Sequence, residues 1–329
     1  MRVTVIGATG HIGTYLVPRL VEAGHEVTAV TRGKSRPYRP DGAWSRVRMV
    51  AAGRVAEDQA ETFAARIRAQ EPDAVIDLIC FEPSSAAQLV DALHGRVRHF
   101  LHCGTIWTHG ATVEAPTREE APRRPFGAYG AKKLEIENLL LDAARRRGFP
   151  ATILHPGHIV GEGWAPVNPQ GHVSPWVFSD LAGGRALLLP NFGMETVHHV
   201  HADDVAQAFE RALARPSASI GESFHVLSPA ALTLRGYAAS VAEWFGQEPR
   251  LSFLPFEEWR RHVTPEEASI TWDHIAHSPN GSIEKARKLL DYQPRYSSLE
   301  AVKESVRRLI AAGEVEAPAP WADDTRRSS

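Results

Sequence analysis

Residues 2–22 read RVTVIGATGHIGTYLVPRLVE. The opening RVTVI is short, apolar and β-branched, the closing TYLVPRLVE places apolar side chains at helical spacing, and Gly7, Gly10 and Gly13 lie between them. That order describes a strand, a tight turn and a helix. A glycine at position 7 spares the turn a Cβ, one at 10 lets backbone approach a diphosphate, and one at 13 lets helix and strand pack closely. Free N–H groups and the macrodipole at the helix start favour an anion there. Gly7, Thr9, Gly10, His11, Ile12 and Gly13 are therefore expected to bind the phosphates of a dinucleotide.

The alternation continues outward through EVTAVTR, ETFAARIRAQ, AVIDLIC, AAQLVDALHG, HFLHCG, KLEIENLLLDAARRRG and ATILHP. Strands crossed over by helices make a parallel sheet, and near-continuous apolar strands mean that both its faces are covered. Past residue 156 the texture changes to HPGHIVGEGWAPVNPQGHVSPW, whose Gly, Pro and Trp suit loops around a pocket. Helical patterns return in DDVAQAFERALARP, LRGYAASVAEWFG and LEAVKESVRRLIAAG, and strands in SFHVLS and RLSFLP. The expected organisation is α/β, with a doubly wound nucleotide-binding domain over 1–155 and a smaller α+β substrate-binding lobe over 156–314. The lobe is expected to interleave with the sheet, which regains segments near 195–230. A tail over 315–329, rich in Pro, Asp, Arg and Ser, is expected to fray.

The 329 residues carry 37 basic and 39 acidic side chains, a net charge of −2. Such balance gives no electrostatic reason to expect nucleic acid or an anionic membrane as partner, and favours a small-molecule substrate. No apolar stretch is long enough to cross a bilayer, and the amino terminus enters a strand at once, which together read as a cytoplasmic protein. Cys80 and Cys103 sit in apolar runs as buried free thiols.

The second strand ends Val30-Thr31-Arg32-Gly33, with no acid to bind ribose hydroxyls. A guanidinium there pairs with a 2′-phosphate, so Arg32 favours NADP, with NAD the alternative. Further on, Tyr129-Gly130-Ala131-Lys132-Lys133 opens a helical run. Tyr129 and Lys133 stand four apart on one face, where an ammonium beside a phenol is expected to lower its pKa for proton transfer. Lys132 is offset toward solvent.

Taken together, GATGHIG after the first strand and YGAKK before the end of the sheet domain resemble the extended short-chain dehydrogenase/reductases, the NAD-dependent epimerase/dehydratase family. The likeness runs over about residues 1 to 312: ILHPGHIVG is similar to an LRPxNVYG segment, VHHVHADDVAQAF to FVHVDDVA, and SIEKARKLLDYQPRYSSLEAVKES to the closing motif. The resemblance implies a Rossmann fold and an NAD(P)-dependent oxidoreductase or epimerase acting on a secondary alcohol or ketone of a small, polar, sugar-like substrate. It also implies a Thr-Tyr-Lys triad. Counting back from Gly110 gives Thr105 as the first member, with Thr108 the lesser alternative; Pro156 falls among the cofactor residues. A homodimer through the helix carrying Tyr129 is implied likewise.

Departures from the pattern narrow the chemistry. In the 4,6-dehydratases an Asp-Glu pair follows the Thr; here Ile106 and Trp107 follow, and neither can transfer a proton, which disfavours simple water loss. His155 stands where Arg is usual, His158 where an Asn is common, and Val197 where an arginine commonly pairs with a substrate pyrophosphate. Trp107, His158, Trp164 and His198 are expected on the substrate side. His155, His158, His198, His199 and His201 lack the spacing of a ligand set, so no metal is expected. The rival reading is a non-catalytic Rossmann protein that senses NAD(P) or associates with RNA.

Overall fold

The computed structural model describes residues 1–317. These divide into two compact units, one of Met1–Gly157, Val200–Leu227 and Gly281–Arg295, the other of His158–His199, Ser228–Asn280 and the segment from Tyr296. The segment Gly281–Arg295, which the sequence pattern placed in the lobe, belongs to the first unit.

In the first unit the apolar runs become strands β1 (Arg2–Ile6), β2 (Glu26–Thr31), β3 (Arg48–Ala51), β4 (Ala74–Asp77), β5 (His99–Cys103) and β6 (Ala151–Pro156). With the later strand Ser223–Val226 they form a seven-stranded sheet, from Ser223–Val226 through β6, β5, β4, β1 and β2 to β3. Every pairing is parallel; β1 sets Val3 and Val5 against Val27 and Ala29 on one side, and against Ala74 and Ile76 on the other. Burial on both faces explains why the strands read as unbroken hydrophobic stretches. Strand order reverses between β1 and β4, and a crevice outside the carboxyl ends of strands at such a switch point is where this fold takes ligands. Phe63, Ile67, Leu89, Leu93, Ile136 and Leu140 from the covering helices, with Phe149 just past one of them, pack with Ile6, Val75 and Ile153 into one core.

The second unit builds a separate core around Phe178, Tyr237 and Trp259. Its strands are short: Leu187–Pro190 pairs parallel with Leu251–Leu254, and Thr196–Val197 antiparallel with Leu232–Thr233. The buried aromatics keep their polar tips satisfied, Tyr237 Oη donating to the Val167 carbonyl at 3.1 Å and Trp259 Nε1 to that of Leu188 at 2.9 Å. Helices Pro265–His277 and Ser298–Ala311 both begin with a capping box, from Thr264 and Ser297. Val315, expected in the frayed tail, is 2% exposed and part of this core. The rest of that expected tail, from Pro318, lies outside the described residues.

Candidate active site

The glycine loop is built as its spacing requires. Gly7 adopts φ +84°, a left-handed conformation that side chains rarely enter, and a Cβ there would sit 2.7 Å from Ile79 Cγ2. A Cβ on Gly10 would lie 3.2 Å from the Gly7 carbonyl, closing the cradle, and one on Gly13 would fall 2.1 Å from Ala8 O. The helix His11–Glu22 starts after Gly10 with no side-chain cap and no acid in its first turn. Its leading N–H groups are therefore left for an anion, and the residues present fit a dinucleotide diphosphate. Thr9 lies at the loop with its hydroxyl 3.2 Å from that of Ser35, and Ile12 is buried beneath it.

Arg32 is exposed at the end of β2. The loop after it also carries Lys34, Arg36 and Arg39, cations that sequence reasoning passed over. Tyr38 and Arg39 pin this loop to the first helix: Tyr38 Oη is 2.6 Å from His11 Nδ1, and the Arg39 guanidinium lies 4.8 Å from the centre of the Tyr15 ring.

Thr105, Tyr129 and Lys133 come together beyond the carboxyl end of β5. Thr105 caps a 3₁₀ turn, Ile106–His109, its hydroxyl accepting from Trp107 N at 3.3 Å. Thr108 is fully buried and its hydroxyl donates to the Thr105 carbonyl at 3.1 Å. Tyr129 lies in the first turn of the helix Gly127–Arg147, whose residue Gly130 passes so close to the turn that a Cβ would meet Trp107 O at 3.2 Å. Trp107 meets the Tyr129 ring edge-on at 5.9 Å and Phe81 meets it at 6.5 Å. The Thr105 side chain faces the Tyr129 hydroxyl and favours its ionised form.

The electrostatics differ from the expectation. Tyr129 keeps 45% of its surface exposed, yet burial around the hydroxyl, reinforced by Cys103, pushes the phenol up to about 12 against the lowering effect of Thr105. The Lys133 ammonium is bound by backbone carbonyls. Lys133 is 2% exposed, donates to the carbonyls of Cys80 and Cys103 at 2.8 Å each, and lies 4.7 Å from the centre of the Phe81 ring. Burial lowers its pKa, while Cys103, Cys80 and Asp77 oppose that. Lys132 pairs instead with the exposed Glu82. Both cysteines are free thiols, pushed by burial up to about 12 for Cys80 and about 11 for Cys103. Pro156 ends β6 and is buried.

A family model for the NAD dependent epimerase/dehydratase family matches residues 3–226. The chain belongs to that family. Among curated relatives, a 2′-dehydrokanamycin reductase of Streptomyces kanamyceticus is 28% identical over 218 residues, 66% of this chain and 59% of the relative. The chain thus spans less than two thirds of that reductase. A chloroplast stem-loop binding protein of 41 kDa from Arabidopsis thaliana is 26% identical over 92% of this chain and 78% of its own. A solved UDP-glucuronic acid 4-epimerase from Bacillus cereus, in complex with UDP-glucuronic acid and NAD, superposes with a TM-score of 0.70 at 18% identity, covering 95% of this chain and 100% of that one. At that identity the likeness concerns the fold alone.

The substrate-side candidates of this family member divide unevenly within the second unit. Trp164 is 53% exposed. His158 is partly buried, its ring 4.8 Å from that of His274 and 5.8 Å from that of His199, and burial holds it well below the usual histidine range. His198, expected to face substrate, is instead fully buried with Nε2 donating to the Ser228 carbonyl at 2.9 Å. A ring so placed serves the core. His199 likewise donates to the Val167 carbonyl, and in the first unit His201 caps the helix Ala202–Ala214 through Asp203 N. Among the described residues no group of three or more His, Cys, Asp and Glu is gathered to hold a metal ion, and no helix is long and apolar enough to cross a membrane.

Proposed function

We propose that the protein is an NADP-dependent oxidoreductase that interconverts a ketone and a secondary alcohol on a small, polar, sugar-like substrate. Thr105 and Tyr129 bind the reacting oxygen and Lys133 orders their surroundings. The observation that carries this reading is the approach of the Thr105 and Tyr129 side chains beyond the carboxyl end of β5, next to a buried ammonium.

A bound nicotinamide supplies or accepts the hydride. The rest falls to the chain. Tyr129, pushed up to about 12, is protonated at neutral pH and suited to hand its proton to a carbonyl oxygen, which favours the reductive direction. Thr105 Oγ1 holds the same oxygen. Lys133 ties the loop after β4 to the end of β5 by binding the carbonyls of Cys80 and Cys103, so the Phe81 and Thr105 walls keep their spacing. Arg32, with Lys34, Arg36 and Arg39 on the loop after β2, supports NADP over NAD through charge-assisted bonds to a 2′-phosphate. Ile106 and Trp107 offer no acid or base for water loss, which argues against 4,6-dehydratase chemistry.

Purified protein is assayed for NADPH consumption with dihydroxyacetone, a small polar ketone, and for conversion of UDP-glucose without net change in nicotinamide absorbance. A reductase gives the first signal and an epimerase the second. Tyr129→Phe is expected to abolish turnover while leaving NADPH affinity within about twofold, because the hydroxyl acts on substrate and not on the diphosphate. Tyr129→Phe at the wild-type rate refutes the reading, and binding of RNA by a protein that turns nothing over favours the non-catalytic rival.

A further inference from the structure

The helix that carries Tyr129 and Lys133 presents a third polar residue on the same face. Glu137, four residues beyond Lys133, is 3% exposed. Its Oε2 lies 3.3 Å from Nε2 of His155, a fully buried residue of β6, and its Oε1 accepts from Arg123 at 3.1 Å. The opposite nitrogen of the same ring, His155 Nδ1, donates to the Thr105 carbonyl at 2.8 Å, with Thr108 Oγ1 at 3.4 Å. One imidazole thereby ties the helix bearing the phenol to the turn bearing the Thr105 hydroxyl.

Among the side-chain bonds to Thr105 itself, the one from His155 is the shortest. The turn's local bonds are long, 3.3 Å from Trp107 N to Thr105 Oγ1 and 3.1 Å from Thr108 Oγ1 to the Thr105 carbonyl, whereas the bond from His155 is 2.8 Å. Nδ1 of His155 meets the Thr105 carbonyl, and Nε2 lies across from the Glu137 carboxylate at ion-pair distance. Burial works against the charge on Glu137, but His155 and Arg123 outweigh it and hold the carboxyl down at about 2. A carboxylate therefore sits across from one edge of the ring, and the other edge binds the Thr105 carbonyl.

We infer that His155, oriented by Glu137, is the positioning residue that aims the Thr105 hydroxyl at the oxygen Tyr129 protonates. This rests on the roles proposed above for Thr105 and Tyr129. The arrangement works through the Thr105 backbone, so it survives removal of the Thr105 side chain, which makes the link separable by mutation.

NADPH-dependent reduction of dihydroxyacetone is measured for wild type, His155→Gln, His155→Arg, Glu137→Gln, Thr105→Ala and the His155→Gln/Thr105→Ala pair. His155→Gln should lower kcat by roughly 100-fold, the scale of a displacement near 1 Å, with the KM for NADPH little changed. His155→Arg should recover most of that loss, since a guanidinium donates to both acceptors. In the Thr105→Ala background His155→Gln should cost less than about threefold, because nothing remains to be aimed. Equal losses in both backgrounds overturn the inference and leave His155 as general packing. If His155→Gln loses its thermal transition, the same cycle run with Glu137→Gln decides the matter by the same criterion. Absence of turnover in wild type, or a wild-type rate in Thr105→Ala, is a different failure: it removes the role of Thr105 and the inference with it.

Discussion

Replacing Gly13 by alanine would put a Cβ 2.1 Å from the carbonyl oxygen of Ala8 and 2.5 Å from its carbon. Both are backbone atoms, so no side chain can swing away. Reaching the 3.4 Å of ordinary contact requires the helix His11–Glu22 to move about 1.3 Å from the β1 turn. Overpacking of this kind costs about 3 kcal/mol or more when the obstacle cannot yield. The same movement withdraws the leading N–H groups from a diphosphate. Loss of one bond to a charged group weakens binding by about 10- to 100-fold. Gly24→Ala is the control: Gly24 has a positive φ, +81°, but its Cβ would meet nothing within 4 Å, so only the left-handed conformation counts, at about 1–2 kcal/mol. Scanning calorimetry gives the Tm of each variant and titration of NADPH fluorescence gives the Kd. Gly13→Ala should lose several degrees and most of its affinity, while Gly24→Ala loses a few degrees and keeps its affinity. A Gly13→Ala protein with wild-type Tm and Kd would refute the reasoning from close approach.

Arg32→Ala should raise the Kd for NADP by about 10-fold or more, the worth of a charge-assisted bond, and leave that for NAD unchanged; parallel fluorescence titrations check it. Lys133→Met should abolish turnover and cost about 1–3 kcal/mol, because the Cys80 and Cys103 carbonyls lose their donor, whereas Lys132→Met on the exposed side should stay within about 0.5 kcal/mol in urea unfolding. Glu137 titrates at about 2 in the folded protein, below the value of a free carboxyl, so its contribution is full above pH 4.5 and is lost as pH falls toward 2. Unfolding free energy should fall with acid over that window at up to about 1.4 kcal/mol per pH unit from this group, and Glu137→Gln should flatten the slope.

Much of the sheet was legible because local patterns carry it. Gly7, Gly10 and Gly13 each answer a requirement of one turn, and Tyr129 and Lys133 share a face by helical spacing alone. The helix Pro265–His277 went unread, although Thr264-Pro265-Glu266-Glu267 spells a capping box in the sequence. Extending the Tyr129–Lys133 spacing by one more turn would have found Glu137. Its partner His155 sits 18 positions further on, and only the packing of β6 against β5 brings that ring to Thr105. The two carbonyls that take the Lys133 ammonium likewise come from separate segments, the loop after β4 and the end of β5, so the sequence suggested an ammonium acting on the phenol where the fold gives it to backbone. His198 was misread for a related reason. Position along a strand says which face a side chain takes, and the Ser228 carbonyl that makes His198 a core residue lies in a distant segment.

A crystal structure of the NADP complex tests the central claim most directly. The account predicts the diphosphate against the N–H groups that follow Gly10, the 2′-phosphate at Arg32, and the nicotinamide beside the Tyr129 hydroxyl. A ring bound far from Tyr129, or a loop that admits no diphosphate, would contradict it.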